Sequence, residues 1–430
     1  MKQNRRSFLQ KTSILAGALG ITQTGFGNTL SNEKQETPLP REIQALQPAL
    51  EGVVPISVEE RKQRIAKAQD LMQKNKIDGI FLEGTTSCNY FTGLRWGQSE
   101  RTFGVVIPAK GAIAYVCPQF EEDRARELIN PVFGDEVRCW EEHESPYALI
   151  LGIIKDRGIR FRRIGMEERV RFFIADGVKK LASGIEIVDA TPVTAGCRMY
   201  KSAAELALMQ KANDVTIEAY KAAFASIQPG MTQAQLSRNI SAAFDKLGYS
   251  GSASVQVGKY SALPHGSIVP QKIMEGDVVM VDGGTSCLGY ASDITRTIVV
   301  GKPSDKQIAV WNLEKKAQDA AFAAIRLGAP CEVVDAAARA VIENAGYGNN
   351  YKLPGLPHRT GHGIGMEGHE WTNFVKGNTT PIGVGMCFSD EPTISIPGEF
   401  GIRLEDCLYI TENGPRFFSA QSISIDQPFG

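Results

Sequence analysis

Between His358 and Glu370 the chain reads His-Arg-Thr-Gly-His-Gly-Ile-Gly-Met-Glu-Gly-His-Glu. Three of its five histidines, His358, His362 and His369, fall here, with Gly361, Gly363, Gly365 and Gly368 laced between them. This run restricts the fold because it rules out the usual settings of a histidine cluster. His358 and His362 are four residues apart, the spacing of two ligands on one helical face. Pro354, Pro357, Gly361 and Gly363 disfavour a helix at that point. Gly363-x-Gly365-x-x-Gly368 matches a dinucleotide fingerprint in letters only, since no strand precedes it and no helix follows. What is left is an extended wall from which imidazoles face a ligand and glycines let backbone come close to it. The stretch reads as one wall of a metal-dependent active site.

A chain of 430 residues implies two domains plus tails. With 47 basic and 48 acidic residues, nucleic acid and membrane surfaces are excluded as its main partners. No apolar run approaches the roughly 20 residues of a membrane-spanning helix. Cys88, Cys117, Cys139, Cys197, Cys287, Cys331, Cys387 and Cys407 are scattered and form no CxxC, so they read as buried, inert thiols. At the N-terminus, Arg5-Arg6-Ser7-Phe8-Leu9 precedes a short apolar stretch from Ile14 to Ile21. This resembles a twin-arginine export signal over residues 1–30, which would send a folded, metal-loaded protein to the periplasm. Residues 31–55 are polar and carry Pro38, Pro40, Pro48 and Pro55, the composition of a linker.

Residues 56–195 read as an α/β domain. Ser57-Val-Glu-Glu60 forms a capping box before a helix. Short apolar strands follow at residues 80–82, 104–107, 112–116, 164–166 and 185–188. His143 sits in the acidic run 141–144 and reads as a solvated surface residue. Thr191-Pro192 and Gly196 mark a boundary, and residues 196–430 read as an α+β domain with an antiparallel sheet backed by helices. Capping boxes at Ser202 and Thr232 open two of those helices, and two more are expected over 306–327 and 333–344. Strands are expected over 278–282, 290–300, 386–395 and 402–411.

Carboxylates gather at the ends of these strands. Asp282 and Asp293 would face each other across a hairpin whose loop holds Gly283, Gly284 and Gly289; Glu391 and Glu405 would do so across a loop with Pro397 and Gly398. Two aspartates, two glutamates and one histidine make a hard, oxygen-rich donor set. It suits two divalent ions of the manganese, cobalt, zinc or iron type, able to deprotonate a shared water at neutral pH.

The order of these clusters resembles a known family. Asp282-x-Gly, Gly289-Tyr-x-Ser-Asp293-x-Thr-Arg-Thr, Thr360-Gly-His362-Gly-Ile-Gly with His369-Glu370, Glu391-Pro392 and Arg403-x-Glu405-Asp406 follow the sequence order of the "pita-bread" metallopeptidases. These include methionine aminopeptidases, Xaa-Pro aminopeptidases and Xaa-Pro dipeptidases, with creatinase as a metal-free relative. The resemblance extends from about residue 57 to the C-terminus and implies an α/β creatinase/prolidase-type N-terminal domain before an α+β catalytic domain. It implies that Asp282, Asp293, His362, Glu391 and Glu405 hold two metal ions, manganese foremost, and that Glu391 also carries the proton of the attacking water. It further implies a substrate-binding and catalytic role for His265, a transition-state role for His369, and substrate contacts for His358 and Arg403. The expected activity is removal of the N-terminal residue from Xaa-Pro peptides. A homodimer or higher homo-oligomer is implied, a neighbouring N-terminal domain closing the cleft.

Two positions depart from the family pattern. Asp390 stands where an apolar residue usually precedes Glu391, and strand alternation points it to the other side of the sheet. Thr393 stands where glycine usually follows the Glu-Pro pair. Two other readings stay open at this stage: a creatinase-like or non-proline amide hydrolase on the same fold, and a metal- or peptide-binding protein without turnover.

Overall fold

Strands of the N-terminal domain alternate between two apolar clusters. In β1 (Gly79–Glu83), Ile80 and Leu82 join a cluster with Met72 and Phe91, while Phe81 joins one with Ile150 and Ile164. The two-residue period thus buries both faces of one sheet. The computed structural model describes residues 38–160, 162–181 and 184–430, so the twin-arginine segment lies outside the described residues. With β1 come β2 (Gly104–Pro108), β3 (Ala114–Pro118), β4 (Val137–Trp140), β5 (Arg163–Met166) and β6 (Glu186–Asp189). The sheet order is β4-β3-β2-β1-β5-β6, antiparallel through β1, β2 and β3 and parallel at both flanks. The helix Val58–Asn75 starts where Ser57 accepts a hydrogen bond from Glu60 N at 3.1 Å. The expected box is half made, because the Glu60 carboxylate turns to Arg64 and to the Ser202 hydroxyl.

Two expectations about the junctions are corrected. The boundary expected at residue 195 falls inside the helix Thr191–Arg198, since Pro192 occupies the first turn, where a proline costs no hydrogen bond. The segment expected as linker is packed from Leu39 onward. Ile43 is fully buried among Tyr220, Ile240 and Phe244, and Ala49 N donates to Leu247 O at 2.9 Å. Leu39 to Gly430 form one compact unit. Glu205 and Arg64 tie its parts together 3.3 Å apart in buried surroundings, with the Tyr290 hydroxyl donating to Glu205 at 2.9 Å.

In the C-terminal half, complete capping boxes at Ser202 and Thr232 open the helices Ala203–Phe224 and Gln233–Leu247. They pack against β7 (Gly251–Val257), β8 (Val278–Cys287), β9 (Tyr290–Ala291) and β10 (Ile294–Val299). A second sheet comprises β11 (Gly361–Gly363), β12 (Glu370–Phe374), β13 (Cys387–Asp390), β16 (Asp406–Thr411) and β17 (Gly414–Phe417), in the order β12-β11-β13-β16-β17. The hairpin of β14 (Thr393–Ile396) and β15 (Phe400–Arg403) completes the set, and the helices Asp305–Ala324 and Glu332–Asn344 share its core.

Three strands expected to be continuous are broken, each at a candidate ligand. β9 gives way to β10 at Asp293, β13 to β14 at Glu391-Pro392, and β15 to β16 at Leu404-Glu405. At the last two breaks the chain leaves one sheet for another. β8 is longer than expected and keeps Gly283 and Gly284 inside the strand. A Cβ at Gly283 would lie 2.3 Å from Ser252 O, and one at Gly284 2.3 Å from Ser292 O, so only glycine lets the neighbouring chain segments close in. The turn is Leu288-Gly289, both with positive φ (48° and 95°), as a tight hairpin requires.

Candidate active site

His362 lies on β11 and is 1% exposed. Its Nδ1 lies 3.1 Å from Gly363 O, and a carbonyl only accepts, so Nδ1 carries the proton. Nε2 therefore presents a lone pair, and it faces Glu391 Oε1 at 3.3 Å, Asp293 Oδ2 at 3.8 Å and Glu405 Oε1 at 4.0 Å. Donor atoms of His362, Glu391 and Glu405 lie within 4.8 Å of one another, as do those of Asp282, Asp293 and Glu405. The strand breaks explain much of this convergence: Asp293, Glu391 and Glu405 each leave a strand where the backbone turns, while Asp282 reaches the same point from within β8.

Neighbouring groups fix these side chains. Thr295 Oγ1 donates to Glu405 Oε2 at 2.6 Å, and Ser389 Oγ accepts from His362 N at 3.0 Å while donating to Glu391 Oε1 at 3.4 Å. Asp293 N donates to Cys407 Sγ at 3.3 Å. Arg403 donates to Asp282 Oδ2 through Nη2 and to Thr295 Oγ1 through Nε at 3.2 Å. Its guanidinium thus pairs with the Asp282 carboxylate and the Thr295 hydroxyl while lining the cleft.

Electrostatics set the chemistry. Burial, then the charges of Asp282 and Glu391, hold the Asp293 carboxyl well above its usual range; burial, then Asp293 and Glu391, do the same to Glu405. Burial pushes Glu391 up to about 7 against the opposing pull of Arg403. Burial and the nearby His369 hold His362 far below its usual value, so its ring is neutral. Four carboxylates and an imidazole lone pair thus converge around one paired guanidinium, and Glu405 Oε1 is buried with no hydrogen-bond partner. Such a donor set fits divalent cations.

One cleft of about 430 Å³ gathers every residue given a metal, catalytic or substrate role from the sequence: Asp282, Asp293, His362, Glu391, Glu405, His265, His358, His369 and Arg403. His265 and His369 are its exposed members. The His369 ring centroid lies 4.1 Å from that of His362, and a His369 ring nitrogen lies within 4.8 Å of donor atoms of Asp293 and His362. Arg359, given no role from the sequence, also lines the cleft, and its side chain has no hydrogen-bond or ion-pair partner among the described residues. The signal for it was adjacency to His358. Thr295 was also missed; strand alternation places it on the Asp293 face. Asp390 faces away, as expected, and its buried carboxylate finds no partner. His143 is exposed.

Residues 64–200 match the creatinase/prolidase N-terminal domain, and residues 207–412 match metallopeptidase family M24. An Xaa-Pro dipeptidase of Lactobacillus delbrueckii subsp. lactis is 31% identical over 365 residues, spanning 83% of this chain and 96% of that protein. The crystal structure of the dipeptidase PepE from Mycobacterium ulcerans superposes with a TM-score of 0.79 at 31% identity, covering 86% of this chain and 99% of that one. The X-Pro aminopeptidase of Thermotoga maritima, 24% identical, shares the fold with a TM-score of 0.67 over 81% of this chain and 97% of its own. With its strand-break carboxylates, its His362 wall and a creatinase-type domain in front of them, the chain belongs to the pita-bread metallopeptidases of family M24, metal-dependent peptidases.

Proposed function

We propose that the chain is an Xaa-Pro dipeptidase working with two divalent ions held by Asp282, Asp293, His362, Glu391 and Glu405. One observation carries the choice of dipeptidase. Arg359 lines the same cleft as those five and has no partner of its own among the described residues. An unpaired guanidinium in the cleft of the candidate ligands suits the C-terminal carboxylate of a two-residue substrate. A longer peptide has no carboxylate there. The Lactobacillus relative is an Xaa-Pro dipeptidase and the Mycobacterium one a dipeptidase, which supports this reading.

Held by these five residues, divalent ions would supply the Lewis acidity that acidifies a water and polarises the scissile carbonyl. Manganese is the ion we assign first, because four of the five donors are carboxylates. Glu391, 3.3 Å from His362 Nε2, is placed to take a proton from the water and pass it to the leaving amine. His369 stands at the open side of His362, where it can donate to the oxygen that gains charge. His265, at the rim, contacts the substrate as it enters. Residues 1–30 would export the folded enzyme to the periplasm by the twin-arginine route.

The test compares Xaa-Pro dipeptides with Xaa-Pro tripeptides, for the native enzyme and for Arg359→Met. Loss of a charge-assisted contact is expected to lower kcat/KM on dipeptides by roughly 10- to 100-fold and to leave tripeptides little changed. Equal rates on both lengths, with the same loss in the variant, would favour an aminopeptidase instead.

A further inference from the structure

Glu167 directly follows β5 in the N-terminal domain and is 5% exposed. Its Oε2 accepts from Ser87 Oγ at 2.6 Å, while Oε1 is buried with no partner among the described residues. Ser87, on the helix Thr86–Thr92, accepts in turn from Arg198 Nη1 at 3.1 Å. Arg198 gives Nη2 to Glu370 at 2.5 Å, has Glu367 at 3.5 Å, and keeps a buried Nε with no partner among the described residues. An acceptor without a donor therefore stands across one hydroxyl from a donor without an acceptor. The two side chains also line one cavity of about 20 Å³ with Glu367, Glu370 and Trp371, which leaves the guanidinium room to turn. Burial, opposed by Ser87 and Arg198 and reinforced by Glu367 and Glu168, pushes the Glu167 carboxyl up to about 7. Other ionisable groups nearby are engaged or neutral. Glu83 pairs with Arg171, Arg169 with Glu367, and Glu168 accepts from Trp371 Nε1, while burial pushes the Cys88 thiol up to about 12.

We propose that Glu167 is a positioning residue for the catalytic wall, its proton deciding whether Arg198 serves Glu370 or is shared with the N-terminal domain. With the proton on Oε1, Glu167 is neutral and Arg198 keeps its bond to Glu370. When that proton passes to bulk water, a further carboxylate charge competes with Glu370 and Glu367 for one guanidinium. The free Nε of Arg198 and the free Oε1 of Glu167 are the pair such a charge joins. Glu370 opens β12 directly after His369, so a turn of Arg198 toward Glu167 slackens the segment that carries His369. A charge change in one domain is thus read as a displacement in the other. The kinetic consequence rests on the role given to His369 in the proposed reaction; the movement itself does not.

Trp371 follows Glu370 in β12 and reports on this contact, since its Nε1 donates to Glu168 Oε2 at 3.1 Å. In manganese-loaded protein its emission, isolated by subtracting a Trp371→Phe variant, should titrate near pH 7. Glu167→Gln keeps the shape of the neutral acid and should abolish that titration. Ser87→Ala removes the hydrogen bond that favours the charge, so the midpoint should rise by about one pH unit. On an Xaa-Pro peptide, the kcat of Glu167→Gln divided by that of the native enzyme should grow about tenfold between pH 6 and pH 8.5, at equal metal content. Emission that titrates alike in the native protein and both variants overturns the proposal. A kcat ratio independent of pH, with emission responding as expected, overturns the positioning role. If His369→Ala keeps native kcat, the role given to His369 falls instead, and the emission still decides whether Glu167 moves the wall.

Discussion

Thr295 and Glu405 hold each other twice. Their backbones form an isolated antiparallel bridge, Thr295 N donating to Glu405 O at 3.3 Å and Glu405 N to Thr295 O at 3.2 Å, and the Thr295 hydroxyl donates to Glu405 Oε2 at 2.6 Å. The bridge joins β10, which follows Asp293, to the bend that carries Glu405. Oε1 is left pointing toward His362 Nε2, 4.0 Å away. Thr295→Val should keep the fold and loosen this carboxylate. Metal affinity is expected to fall roughly 10- to 100-fold, the usual cost of losing a partner that orients a ligand. Titration calorimetry with manganese checks it; an unchanged affinity would show that the backbone bridge alone suffices.

The crowded carboxylates make the metal-free protein sensitive to pH in an unusual direction. Glu391, pushed up to about 7, holds its proton in the folded state above the 4.5 of an ordinary glutamate, and Asp293 and Glu405 shift the same way. A raised acid makes the folded state bind more protons than the unfolded one, so stability falls as pH rises through that window. Chelator-treated protein should therefore unfold at lower temperature at pH 7.5 than at pH 5.5. Metal should reverse the trend, with affinity rising about tenfold per pH unit for each proton released. Chelation should also abolish peptidase activity, and manganese should restore it. A flat melting profile for the metal-free protein would mean that the carboxylates find other partners.

Asp390 is a cost the sequence announces and the structure leaves uncompensated. It pairs in register with Asp406, which is satisfied by Arg296 at 2.7 Å, Ser419 at 3.0 Å and Gln318 at 3.2 Å. Asp390 is fully buried and neither carboxylate oxygen has a partner. Burial, then the charge of Asp406, hold its carboxyl well above the usual range. The penalty is absent below the ordinary aspartate value and grows as pH rises. Asp390→Asn should match the native protein in stability near pH 4 and exceed it at pH 8 by ~1–3 kcal/mol. Urea unfolding of the metal-loaded proteins at the two pH values measures this, and a difference independent of pH would place the cost elsewhere.

What the sequence made legible was local chemistry and order. Ser202 and Thr232 announce helix starts because a cap is decided within four residues. The donor set was legible because its members stand in a fixed sequence order beside glycines and prolines. What escaped was decided at long range. A two-residue period looks the same whether a strand stays in its sheet or leaves it, so the breaks at Asp293, Glu391 and Glu405 were invisible. Arg403 finds Asp282 across 121 residues, and no local pattern carries that pairing. The helix Phe172–Leu181 and the edge strand β4 were missed as well. The strand is only partly buried at Val137, Arg138 and Cys139, so its sequence lacks a strong apolar signature.

Glu370 ties the catalytic wall to the N-terminal domain. It opens β12 immediately after His369, and its carboxylate accepts from Arg198 Nη2 at 2.5 Å, Lys201 Nζ at 3.2 Å and Glu367 N at 3.1 Å. Arg198 continues to Ser87 Oγ at 3.1 Å, and Ser87 to Glu167 at 2.6 Å, both in the N-terminal domain. The loop before it closes tightly on this carboxylate, a Cβ at Gly365 falling 2.6 Å from Glu370 Oε2. Lys201 and Arg198 hold the Glu370 carboxyl below its usual range against the opposing effect of burial. A depressed acid stabilises above its unfolded value and loses that contribution as pH falls. Glu370→Gln keeps the shape but leaves two buried cations short of charge, a loss of about 3 kcal/mol at pH 7 that shrinks below pH ~4.5. Because His369 is the preceding residue, even a 1 Å shift should lower kcat on the order of 100-fold while metal content stays full. Unfolding measured at pH 4 and pH 7, together with kcat and metal analysis of the same variant, separates the two effects; a stable variant with native kcat would show that His369 is positioned without Glu370.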